Sequence, residues 1–177
     1  MLAGIDHPSS GTISLNERNI SSLSIAKKTT LLQQSIGIVF QQPLLIQELT
    51  VLENIMLKAM THTSITGQSI AHAKQLLSEV NLLEKAHCSP NTLSGGQQQR
   101  VAILRALFHT PQFLFADEPT GNLDQQNGRA VIELLLHYQK KYNMGLIIST
   151  HDLQVAKECS IILEIQNKNL LSHKTVL

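Results

Sequence analysis

Apolar positions along this chain fall into short blocks whose period changes from one stretch to the next. Ile36–Phe40, Phe113–Ala116 and Leu146–Thr150 are brief apolar runs that predict buried strands. Between them the spacing becomes helical, over Ser24–Gln34, behind Thr50, over Ile70–Val80, behind Ser94 and over Gly128–Tyr142. In the last of these, Val131, Leu134, Leu135 and Tyr138 share one face and read as core. Thr12–Leu15 predicts one more strand, and Ser160–Ile165 with Leu170–Ser172 a closing hairpin. Buried strands alternating with amphipathic helices give an α/β class with a core sheet.

Local signals set several boundaries. Thr50 with Glu53, and Ser94 with Gln97, have capping-box spacing. Pro111 breaks the chain before the Phe113 strand. Met1–Asp6 reads as the end of a helix stopped by Gly4, ahead of a Pro8–Gly11 turn, with nothing before it to begin that helix.

Composition narrows the function classes. A chain of 177 residues, 42% hydrophobic, makes one domain with a buried core. Fourteen basic against thirteen acidic residues leave a net charge of +1, which offers no electrostatic case for nucleic acid, and 3% aromatics offer no stacking platform. Cys88 and Cys159 are isolated and the histidines scattered, so neither a disulfide framework nor a zinc site is expected. No apolar run approaches the ~20 residues a spanning helix needs, and no secretory signal pattern is present, so a soluble or membrane-peripheral protein is expected.

The chemistry concentrates between Asn91 and Asp124. A capped helix start at Ser94-Gly95-Gly96-Gln97 offers amide donors and a positive dipole end to a phosphate. The Phe113–Ala116 strand delivers Asp117 and Glu118 to its carboxyl end, where ligands bind in open α/β sheets. Asp117 is placed to hold Mg²⁺ through its water shell, and Glu118 to orient or deprotonate an attacking water.

LSGGQ (Leu93–Gln97), FLFADEP (Phe113–Pro119), GNLD (Gly121–Asp124) and STHD (Ser149–Asp152) resemble, in order, the signature, Walker B, D-loop and H-loop of ABC-type ATPases. Alone, each has a bland reading: a turn, a solvated strand end, a helix cap at Asp124, a surface histidine. Their joint order and spacing favour the family. The resemblance implies a P-loop NTPase-like core over residues 1–42 and 91–177, with a helical arm over 43–90. It implies ATP and Mg²⁺ as ligands, Glu118 and His151 as the catalytic pair, and Gln41 with Asp117 at the metal. Ser94, Gly95, Gly96, Gln97 and Asp124 would contact nucleotide across a homodimer. Transmembrane permease subunits are the implied partners, which puts the protein on the cytoplasmic face of the inner membrane. Leu44, Leu45, Ile46 and Leu49 either receive a helix of that permease or are simply the arm's own core. FQQPLLIQELTVLENIML and THDLQVAK narrow the resemblance to the ATP-binding subunits of lipoprotein-releasing transporters of Gram-negative bacteria.

The chain also departs from that pattern. No G-x-x-x-x-G-K-[ST] run occurs, so the Walker A phosphate loop, and the strands expected ahead of it, are not represented. Negligible hydrolysis by this chain alone is expected. A truncated or misassigned gene start, or a decayed copy, is the expectation for its origin, and a non-catalytic interaction module the alternative for its role. Asn16-Glu17 and Asn167-Lys168 stand at hairpin turns where Asn-Gly would be favoured, which predicts strained or longer turns. Leu104 stands where a small residue is usual, so packing around the signature helix is expected to shift.

Overall fold

A computed structural model of the chain describes residues 8–62, 65–167 and 169–174, so the expected helix end at Met1–Asp6 lies outside the described residues. The centre is a parallel sheet of β3 (Ile36–Val39), β4 (Phe113–Asp117) and β5 (Gly145–Ser149), in that order. Register pairs Ile38 with Phe115 and Phe115 with Ile147, so all carboxyl ends meet at one edge. The Thr12–Leu15 strand shrinks to β1 (Ser14–Leu15), paired antiparallel with β2 (Arg18–Asn19). Their connection is the tight one. Asn16 and Glu17 both take positive φ, 50° and 63°, so the turn is strained rather than lengthened. A second hairpin joins β6 (Ile161–Gln166) to β7 (Asn169–Lys174), and its other central residue, Lys168, lies outside the described residues.

Helices form where the capping and periodicity signals put them. Ser24 precedes α1 (Ile25–Ser35). Thr50 and Glu53 make a complete capping box on α2 (Val51–Ile55), which breaks at Met56 before α3 (Leu57–His62). α4 (Gly67–Glu79) follows, capped by Thr66, and then α5 (Gly95–Leu107), whose Ser94–Gln97 box is also complete. α6 (Gln125–Tyr142) starts three residues earlier than periodicity suggested, because Asp124 caps it, and ends on left-handed Asn143. α7 (Leu153–Lys157) is short and lies outside the predicted helical stretches.

One core joins these elements. Ile55, Leu76 and Leu77 pack with Val101, Ile103 and Leu107, and on through Leu114 to Leu135 and Tyr138. Leu104 fits without exposure: it is fully buried and part of that core. The expectation of a buried β5 needs correction. Leu146 and Ile148 are half-buried on the core side, but among the described residues β5 is an edge strand, and Ile147 on its other face is 41% exposed. The β6–β7 hairpin likewise turns apolar side chains outward, Ile165 at 76%. No helix among the described residues is long and apolar enough to cross a membrane.

Candidate functional site

The carboxyl edge of the sheet gathers three of the expected groups through backbone register alone. Strand β3 ends before Gln41, β4 carries Asp117 as its last residue, and β5 leads to Thr150 and His151. Glu118 follows β4 in a left-handed conformation, φ 43°, pinned by its amide donating to the Ser149 carbonyl at 2.8 Å. That bend costs a non-glycine residue about 1–2 kcal/mol. It turns the carboxylate across to the β5 end instead of continuing along the strand.

There the Glu118 carboxylate is held at both oxygens. Oε1 accepts the His151 amide at 2.8 Å and lies 2.7 Å from His151 Nδ1, while Oε2 accepts the Thr150 hydroxyl at 3.2 Å. The hydroxyl oxygen accepts the Asp152 amide in turn, at 3.0 Å. The hydrogen bond to Glu118, and then its charge, raise the His151 pKa above the ordinary histidine value. A half-buried carboxylate paired with an exposed imidazole can take up and return a proton. Glu118 and His151 are thus brought together. Thr150, which links to the same carboxylate, carried no role in the sequence reading; its place inside STHD was the only signal.

Gln41 and the Gly121–Asp124 turn form the next contact. Gln41 Nε2 lies 3.4 Å from Asn122 Oδ1, and a Cβ on Gly121 would come within 2.6 Å of Gln41 Nε2. Asp117 stays exposed at the end of β4, and with the exposed Gln41 it supplies the oxygen donors that Mg²⁺ favours.

At the start of α5, Ser94 Oγ accepts the Gln97 amide at 3.4 Å and Gln97 Oε1 accepts the Ser94 amide at 2.9 Å. Gln97 is therefore partly committed to its own helix. The amides of Gly95 and Gly96 have no acceptor inside the helix. Gly95 lies against Leu123 and Gly96 against Asn127, so this helix start packs on the start of α6. Asp124 caps α6 through the Asn127 amide, 2.9 Å, and side chain, 2.6 Å, and these two bonds lower its pKa. Among the described residues no hydrogen bond joins Ser94–Gln97 to Asp117, Glu118 or His151.

The family model for ABC transporters matches residues 1–121. The chain belongs to the ABC transporter family. Among relatives within it, the lipoprotein-releasing system ATP-binding protein LolD of Hydrogenovibrio crunogenus is 41% identical over 156 residues, 88% of this chain and 68% of that protein. The uncharacterized ABC transporter ATP-binding protein YbbA of Escherichia coli K12 is 40% identical over 170 residues, 96% of this chain and 75% of YbbA. In structure, the dimeric ABC cassette MJ0796 bound to ADP and Pi superposes with a TM-score of 0.85 at 32% identity, covering 97% of this chain and 76% of the cassette. CbiO1 of Clostridium perfringens, part of the ABC transporter complex cbiONQ, gives 0.83 at 29% identity, over 96% and 68%. The fold is that of an ABC ATPase cassette, and the family couples ATP hydrolysis to transport.

Proposed function

We propose that this chain is an ATP-binding, ATP-hydrolysing subunit of an ABC transporter that releases lipoproteins from the inner membrane. The observation that carries the ATPase reading is the Glu118 carboxylate, fixed by His151 and Thr150 at the carboxyl edge of the sheet beside Asp117. Similarity to LolD supports the cargo. Asp117 and Gln41 would hold Mg²⁺, which neutralises phosphate charge during phosphoryl transfer. Glu118 takes the proton of the attacking water. With Nδ1 on Glu118, Nε2 is the His151 nitrogen left for a phosphoryl oxygen, to which it donates when the ring is protonated. Ser94, Gly95 and Gly96 of one copy close over the phosphates held by a second, with Gln97 and Asp124 at the shared boundary.

The same reading divides the chain into a core, 1–42 and 91–177, and an arm, 43–90, and places a permease against their junction, at the cytoplasmic face. Leu44 and Ile46 are 57% and 37% exposed there, whereas Leu45 is core. An apolar groove of about 310 Å³, between Leu32, Ile38, Phe40 and Leu57 and bordered by Lys58 and Arg105, opens on the same side of β3 as Phe40. It fits an apolar helix face.

A phosphate-release assay with Mg²⁺ and ATP tests this reading: Glu118-dependent turnover supports it, and turnover no greater than that of Glu118→Gln refutes hydrolysis by this chain.

A further inference from the structure

The segment between β3 and α2 forms no helix or strand, yet its backbone is fastened from inside by three buried or half-buried side chains. Gln99 of α5, 1% exposed, donates from Nε2 to the Phe40 carbonyl at 3.0 Å. Arg105, further along α5, donates from Nη1 to the Leu44 carbonyl and from Nη2 to the Pro43 carbonyl, both at 2.7 Å. Asn54 of α2, fully buried, accepts the Ile46 amide at 2.8 Å and donates to the carbonyls of Ile46, Thr50 and Leu49 at 2.9, 3.0 and 3.3 Å.

The Arg105 fork explains a strained residue. Successive carbonyls of an extended chain point to opposite sides, so two neighbours reach one guanidinium only where the chain bends. Leu44 makes that bend, at φ 47°, a conformation unfavourable for leucine. It does so while its side chain stays exposed, so its own packing does not explain the bend. Arg105 forms no ion pair among the described residues, and burial lowers its pKa. Its charge is compensated by these two carbonyls.

We propose that Arg105, assisted by Gln99, is a positioning residue for the loop from Phe40 to Leu49. It keeps Gln41 beside Gly121 at the carboxylate edge and presents Leu44 and Ile46 as a preformed apolar surface. The helix that begins at Ser94 therefore carries both the ligand-facing and the partner-facing part of the loop. The consequence for function rests on the roles proposed above for Gln41 and that surface; the positioning itself does not.

Hydrogen exchange followed by mass spectrometry tests it on the full chain without nucleotide, so a failure here is separate from failure of the ATPase reading. In Arg105→Met, amides of residues 42–49 are expected to exchange about tenfold or more faster, because two charge-assisted bonds are gone, while β4 and α6 exchange at wild-type rates. Arg105→Lys keeps the charge but cannot fork onto two carbonyls, and is expected to restore less than half of the protection. Wild-type exchange over 42–49 in a folded Arg105→Met protein overturns the proposal. If that variant does not fold, Leu44→Gly decides: it relaxes the bend and leaves the fork, so protection should persist, and a loop that loosens about tenfold with Arg105 intact overturns the proposal equally.

Discussion

Gly95 and Gly96 are neighbours at the start of α5, yet alanine at the two positions is expected to shift stability in opposite directions. At 95, a Cβ would meet Leu123 Cδ2 at 3.7 Å, an ordinary contact. The substitution then only recovers helix propensity, at most about 1 kcal/mol. At 96, a Cβ would stand 2.7 Å from Asn127 Cγ and 3.0 Å from its Cβ. Asn127 cannot swing aside freely, since its amide and side chain both serve the Asp124 cap. Overpacking of this kind costs about 1–3 kcal/mol, and the propensity gain offsets part of it. With contacts this short the cost stands at the upper end of that range, so a net loss of about 2 kcal/mol remains, or about 4–8 °C in Tm for a domain of this size. Thermal unfolding followed by circular dichroism reads both variants. Asn127→Ala in the Gly96→Ala background should recover part of the loss, since the close atoms beyond Cβ are removed. A Gly96→Ala protein as stable as wild type would refute the tight packing of Gly96 on Asn127.

Other substitutions test the remaining contacts. Tyr138→Phe removes a buried hydroxyl that donates to Glu79 Oε2 at 2.7 Å, while Lys141 stays on the same carboxylate, so the expected loss is near the low end for charged partners, about 1.5 kcal/mol. Burial pushes the Glu79 pKa up, but the hydrogen bonds from Lys141 and Tyr138 outweigh it and leave it lowered. This contribution is therefore present above the ordinary glutamate value and fades as pH falls through the lowered one, which denaturant melts across acid pH would show. His151 has the opposite sign: its raised pKa stabilises the pair below the ordinary histidine value, and the effect is lost as pH rises through the raised one. An NMR titration should find the His151 pKa falling toward the ordinary value in Glu118→Gln; an unchanged value would show that Glu118 does not hold the ring. Glu17→Gly, at φ 63° in the β1–β2 turn, should gain up to about 1 kcal/mol and raise Tm.

Much of this was legible along the chain because the deciding interactions are local. Both capping boxes involve residues three apart, and the strand that delivers Asp117 is bounded by Pro111 and a polar turn. Periodicity could not show that β5 lies at an edge, since neighbour order is a property of the sheet; an apolar run reads the same at an edge as in the middle. The pairing of Glu118 with Thr150 and His151 depends on a positive φ at a glutamate, which no propensity favours. Gln99, Arg105 and Asn54 were invisible for a related reason: each acts on backbone carbonyls or amides, which carry no sequence signature.

In the proposed function this chain contributes its signature end to an ATP-bridged pair. Analytical ultracentrifugation of the chain mixed with LolD of Hydrogenovibrio crunogenus, an ATP-binding relative, tests that directly. A heterodimer that forms with ATP and Mg²⁺, is absent without nucleotide, and is lost in Gly95→Glu is the predicted result. No nucleotide-dependent association, or association indifferent to Gly95→Glu, would contradict it.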